Sequence, residues 1–230
     1  SRVVAEQEGM RTVLVYGTSK EVLAEWDDFF ESSGYRCERY DHELLAIARG
    51  LFGHSTPVPT CVVDIGAERT KVAIFSGEGL GYVHSIEQAG DLFTDALSRS
   101  LEIPKEEAEQ SKKRDGMEPI ALHVLYEKLL APIIMEIVLA SDFFEKSAQR
   151  PIQEVVLVGG SARLKGLPEY ISEKIGKPCR RGSSFLTPRA GDDASDSLHY
   201  IESIGLALKG IDFRYWEERN PSLRFEQRGE

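Results

Sequence analysis

A chain of 230 residues buries roughly 70% of its unfolded surface on folding, enough for one large domain or two modest ones. Its formal net charge of −10 argues against a nucleic-acid partner, because phosphate-backbone binding needs clustered Lys and Arg. Cys37, Cys61 and Cys179 are odd in number and widely separated, which speaks against a disulfide framework and for a reducing compartment. The five histidines show no metal-ligand spacing. The chain opens on Ser1 without a charged-then-apolar leader, so the expectation is a fragment or a processed piece.

Residues 11–17 read as a strand, followed by a helix in which Thr18 and Glu21 fit a capping box and Val22, Leu23, Trp26, Phe29 and Phe30 share a face. Gly34 ends it, residues 35–40 read as a second strand, and 41–51 as a helix with Leu44, Leu45, Ala48 and Leu51 inward. This is a β-α-β-α unit. The Gly, Ser, Thr and Pro of residues 53–59 mark a break. The expected division is 1–57, 58–212 and a polar tail, 213–230.

The second part opens on apolar strands at 61–65, 71–75 and 81–86. Helices follow at 91–101, with Leu92, Phe93, Ala96, Leu97 and Leu101 inward, and at 104–114, highly charged and closed by Gly116. Residues 119–149 form a long helical stretch with a bend expected at Pro132. Its apolar run at 129–140 carries Glu136 and falls short of the ~20 residues a membrane span needs, so it reads as a buried helix. A strand at 154–158, a glycine-rich turn and a helix at 168–175 make a further βα unit. A Gly, Ser, Asp and Pro loop over 182–197 precedes a last helix at 199–208.

Two turns draw the chemical interest. Asp64 closes a buried strand at Asp64-Ile65-Gly66-Ala67, where an unpaired carboxylate is costly. Either a bound magnesium-nucleotide supplies its partner, or the turn amides that follow donate to it. Gly159-Gly160-Ser161 follows the strand at 154–158, where a flat ligand can lie on bare backbone or where an ordinary βα turn can form. Neither turn has the spacing of a dinucleotide fingerprint or a Walker loop. On the charged helix, Glu109 and Lys112 share a face and can meet ribose hydroxyls, although a solvated face complementing the helix dipole is the preferred local reading. No nucleophile with a base partner emerges.

Taken in order, Asp64-Ile65-Gly66 with Thr70, Ala89-Gly90-Asp91-Leu92-Phe93-Thr94, Glu106 to Lys112, and Gly159-Gly160-Ser161-Ala162 with Gly166-Leu167 resemble the actin-like ATPase superfamily. Within it the chain is similar to the PilM group of type IV pilus assembly and the GspL group of type II secretion, and more distantly to FtsA of cell division. The resemblance implies an α/β, actin/Hsp70-like (ribonuclease H-like) fold, as a fragment lacking the amino-terminal part of the first lobe and the first phosphate loop. It implies that Asp64, Gly66, Ala67 and Thr70 stand in the second phosphate loop, Asp64 facing a metal through water and the 66–69 amides facing phosphates. It places Glu109 and Lys112 on the ribose and Gly159, Gly160 and Ser161 under adenine. Catalytic residues and directly ligated metals are not expected.

The resulting expectation is a scaffold or adaptor domain of a pilus or secretion platform, cytoplasmic at the inner face of the inner membrane, with at most weak ATPase activity when intact. Its partners would be a membrane subunit of the same machine and a cytoplasmic assembly ATPase, with a homodimer left open and the surface near residues 35–51 the guess for contact. Mg-ATP would belong to the intact protein and not bind the fragment tightly. The rival readings are an FtsA-like division protein and a sugar or carboxylate kinase of the same superfamily.

Overall fold

The computed structural model describes residues 2–7, 10–37, 40–53, 57–186 and 197–209. The expected polar tail and most of the loop before the last helix lie outside them. The core is a five-stranded sheet in the order β5-β4-β3-β6-β7. Strands β3 (Thr60–Ile65), β4 (Thr70–Ser76) and β5 (Gly79–Ile86) form an antiparallel meander. Strands β6 (Glu154–Val158) and β7 (Cys179–Arg181) then add in parallel, β6 beside β3. The unbroken apolar runs of β3, β4 and β6 fit strands covered on both faces.

Strand alternation decides what each face meets. From β4, Lys71 reaches Glu43 and Phe75 packs on Phe52, both on helix α2 (Glu43–Phe52). From the opposite face of the β4–β5 ladder, Tyr82 donates to Glu136 on α5 (Ile120–Ala148) at 2.8 Å. The helix expected around Glu136 is present but buried on one face only: Leu130, Ile133, Glu136, Ile137 and Ala140 are inside, whereas Met135, Val138 and Leu139 are exposed. The Glu136 carboxylate is held by Tyr82 and His84. Pro132 lies inside α5. Helices α3 (Gly90–Leu101) and α4 (Lys105–Asp115) bridge the meander to α5. Helix α6 (Leu167–Ile175) bridges β6 to β7.

Helix α2 crosses the last helix, α7 (Ser197–Ala207), at contact distance between backbones. Gly50 lies against the Ile201 carbonyl and Gly205 against the Ala46 carbonyl, and neither site has room for a β-carbon. Around the crossing, Leu44, Ile47, Leu51, Leu198 and Ile201 enter the same hydrophobic core as the sheet. Packing thus runs across the break at residues 53–59.

The amino-terminal region departs from the expected β-α-β-α unit. Strand β1 (Arg2–Gln7) pairs with β2 (Met10–Leu14) in an antiparallel hairpin, and residues 15–17 are not strand. Helix α1 (Lys20–Ser32) is capped one residue later than expected, by Ser19, whose hydroxyl accepts from the Val22 N–H. Its aromatic face stacks on itself, Trp26 on Phe30, yet no residue of the helix is buried. Residues 35–37 and 40 form no strand; residues 38–39 lie outside the described set. Tyr40 instead donates back to the Leu23 carbonyl and to Asp27 of α1.

On α3 the apolar face is rotated from the expected one: Phe93, Thr94 and Leu97 are buried, while Leu92 and Leu101 are exposed. Thr94 joins the inward face, where its hydroxyl has partners, as described below.

Candidate functional site

Because β3 and β6 run parallel with Asp64 opposite Val158, their following turns lie side by side at the carboxyl edge of the sheet. This edge is where α/β sheets bind ligands. The first turn closes on itself, the Gly66 N–H donating to the Arg69 carbonyl at 3.0 Å. The start of α3 docks on it: the N–H groups of Gly90 and Asp91 donate to the carbonyls of Gly66 (3.0 Å) and Ala67 (2.8 Å). Ser161 Oγ joins from the second turn, 3.4 Å from the Gly66 carbonyl.

Gly159 is what lets the two turns meet. Its φ of 84° lies in the left-handed region, and a β-carbon there would stand 2.5 Å from Asp64 Oδ1. After it the chain makes one 3-10 turn, Gly160–Arg163, and Arg181 of β7 fixes that turn by donating to the carbonyls of Ala162 (3.0 Å) and Leu164 (3.2 Å).

Beside these turns opens a cavity of about 940 Å³, within the size range of small-molecule sites. Gly66, Ala67, Glu109, Lys112, Gly160 and Ser161 all line it. Asp64 and Gly159 lie beneath the wall rather than on it. Thr70 is turned away: it is fully buried, and its hydroxyl donates to the Gln88 carbonyl at 2.6 Å. The Gly66 amide, expected to face phosphate, is engaged within its own turn.

No turn amide donates to the Asp64 carboxylate among the described residues, which removes the hydrogen-bonded-turn alternative. Its nearest cation is Lys71, at 3.8 Å. Burial pushes Asp64 up to about 6; Lys71 pulls it back, while Glu43 and Glu202 push it further up.

The solvated-face reading of Glu109 and Lys112 fails for the lysine. Lys112 is 8% exposed, and its ammonium donates to the Gly90 carbonyl (3.0 Å), Thr94 Oγ1 (2.8 Å) and Glu109 (2.5 Å). Burial raises Glu109, but hydrogen bonds from Lys112, Thr94 and Lys113 outweigh it and hold the carboxyl below its usual range. The pair therefore braces α4 against the first turn of α3 while Glu109 keeps one edge on the cavity. Lys112→Met is expected to cost about 2 kcal/mol in urea unfolding, since it removes the ammonium that donates at once to Glu109, the Gly90 carbonyl and Thr94 Oγ1. A loss within 0.5 kcal/mol, the ordinary range for surface positions, would restore the solvated-face reading.

The sequence reading missed the cations on the cavity wall, Lys113, Arg163, Lys165 and Arg181, and the His199 beside them. In a chain of net charge −10 their gathering favours an anionic ligand. Arg163 and Lys165 directly follow the Gly-Gly-Ser turn, a signal that was available. His199 pairs with Arg163 only through the fold, from α7. The wall thus combines glycine backbone at Gly66 and Gly160 with those four cations and the acidic side chains of Asp91 and Glu109.

No helix among the described residues is long and apolar enough to cross a membrane. Comparison with known proteins places the fold. FtsA of Pseudomonas aeruginosa is 24% identical over 175 residues, 66% of this chain and 42% of FtsA. The PilM-PilN type IV pilus biogenesis complex superposes with a TM-score of 0.69 at 22% identity, over 84% of this chain and 59% of that one. EutJ from Carboxydothermus hydrogenoformans gives 0.58 at 24% identity, over 84% and 63%. MreB 5 of Spiroplasma citri bound to AMPPNP gives 0.62 at 16% identity, over 89% and 68%. The chain thus spans less than two thirds of the FtsA, PilM and EutJ chains it matches. The fold is the α/β fold of the actin-like ATPases. The family model for the type IV pilus assembly protein PilM matches residues 4–211, and the chain belongs to that family.

Proposed function

We propose that this protein is an actin-like scaffold of a type IV pilus machine, acting at the cytoplasmic face of the inner membrane and binding Mg-ATP weakly. The observation that carries the nucleotide part is the convergence of Gly66, Ala67, Glu109, Lys112, Gly160 and Ser161 on one cavity ringed by cations. In this reading the role is binding, with at most weak ATPase activity when intact, and Lys112 is engaged by protein oxygens. When bound, magnesium would supply the positive charge that the Asp64 carboxylate lacks, and the Gly160–Ser161 backbone would carry the base.

Family membership favours the pilus over a type II secretion platform or a division protein. The PilM of the matched complex is paired with PilN, which supports a second subunit of the same machine as partner, in this reading a membrane subunit. A cytoplasmic assembly ATPase and a second copy of the chain are further partners in this reading.

Calorimetric titration of Mg-ATP into the 230-residue chain tests the site. Binding with a dissociation constant of about 1 mM, absent in Asp64→Ala, is expected. No heat at about 10 mM nucleotide would leave the scaffold role without a ligand.

A further inference from the structure

Asp64 and Lys71 face each other across the β3–β4 ladder, but the lysine does not settle on its neighbour. Its ammonium lies 3.8 Å from Asp64 Oδ2 and 2.6 Å from Glu43 Oε2. Glu43 is the first residue of α2, a helix fixed at its far side by the α7 crossing and by Arg49, which donates to the Gly205 carbonyl at 2.9 Å. One cation thus stands between the carboxylate beneath the cavity wall and a helix start. The Lys71 side chain is only 23% exposed, so solvent screens this competition less than it would at the surface.

We propose that Lys71 is a positioning residue shared by Asp64 and Glu43, so that positive charge arriving at Asp64 turns Lys71 wholly to Glu43 and tightens the first turn of α2. This rests on the nucleotide reading of the cleft only for the natural source of that charge. The coupling itself is a property of three side chains. Glu202 on α7 faces the same group and adds to the negative field that a cation at Asp64 would relieve. The amides that would respond are those of Leu44, Leu45 and Ala46, which all donate to His42, the residue capping α2.

Asp64→Asn imitates the arrival of positive charge without any ligand. Hydrogen exchange at the amides of Leu44, Leu45 and Ala46 is expected to slow by about threefold in Asp64→Asn, and not to slow in Asp64→Asn/Glu43→Gln. Lys71→Met should abolish the effect and Lys71→Arg should retain it, a split that mere packing would not produce. In urea, Glu43→Gln should shift the unfolding constant at least about fivefold more in the Asp64→Asn background than in the wild type. Equal effects in both backgrounds, with unchanged exchange, would overturn the proposal. If the wild type binds Mg-ATP, the same amides should slow on binding, and their failure to do so would also overturn it. Absence of Mg-ATP binding would count against the cleft's ligand alone, and the ligand-free variants would still decide the coupling.

Discussion

Replacing Gly205 with Ala is expected to cost the fold about 3 kcal/mol, read as a lower urea midpoint at unchanged slope. A β-carbon there falls on the Ala46 carbonyl, which is backbone, so no side-chain rotamer can relieve it. Moving α7 away is also resisted. The Gly205 carbonyl accepts from Arg49, and the reciprocal contact of Gly50 with the Ile201 carbonyl would open at the same time. Separation would loosen Leu44, Ile47, Leu51, Leu198 and Ile201, each nearly or fully buried at the crossing. Leu206→Ala is the matched control: the side chain is exposed, and a change within about 0.5 kcal/mol is expected. A Gly205→Ala loss below about 1 kcal/mol would mean that the two helices part without strain.

The crossing also shows where the sequence was readable. Residues 154–158 could be read to the residue as a strand, because Val155 to Val158 leave no polar side for a helix to expose. The Asp64 and Gly159 turns could be found because buried strands run straight into glycine. Strand β7 could not: Cys179-Arg180-Arg181 has no alternation, and it is a strand only because Val155 and Leu157 offer it an edge. Helix α1 misleads in the opposite direction. Its amphipathic face promises a packed unit, yet Trp26 and Phe29 remain exposed, since periodicity reports a face and not what covers it. At the site, Lys112 sits on a strongly polar helix, and only the approach of Thr94 and the Gly90 carbonyl from α3 makes it an inside residue. Long-range partners decide such positions, and no local pattern carries them.

Asp64→Asn is expected to make the protein more stable, by an amount that depends on pH. The wild-type carboxyl is pushed up to about 6, against 3.8 for an ordinary aspartate. Between those values the folded protein holds a proton that the unfolded chain has released, so raising the pH through this window favours unfolding. A shift of this size corresponds to about 3 kcal/mol, fully expressed above the folded value. Asparagine does not titrate, so the two proteins should differ little near pH 4, and Asn should be ahead by about 2 kcal/mol near pH 7.5 once its weaker hold on Lys71 is subtracted. Parallel urea unfolding at the two pH values measures the gap; a gap that does not change with pH would show that Asp64 is not the group at a cost. The direction bears on function. A carboxylate that weakens its own fold at neutral pH stabilises it only when positive charge arrives, so added Mg-ATP should narrow the gap by stabilising the wild type and not the variant.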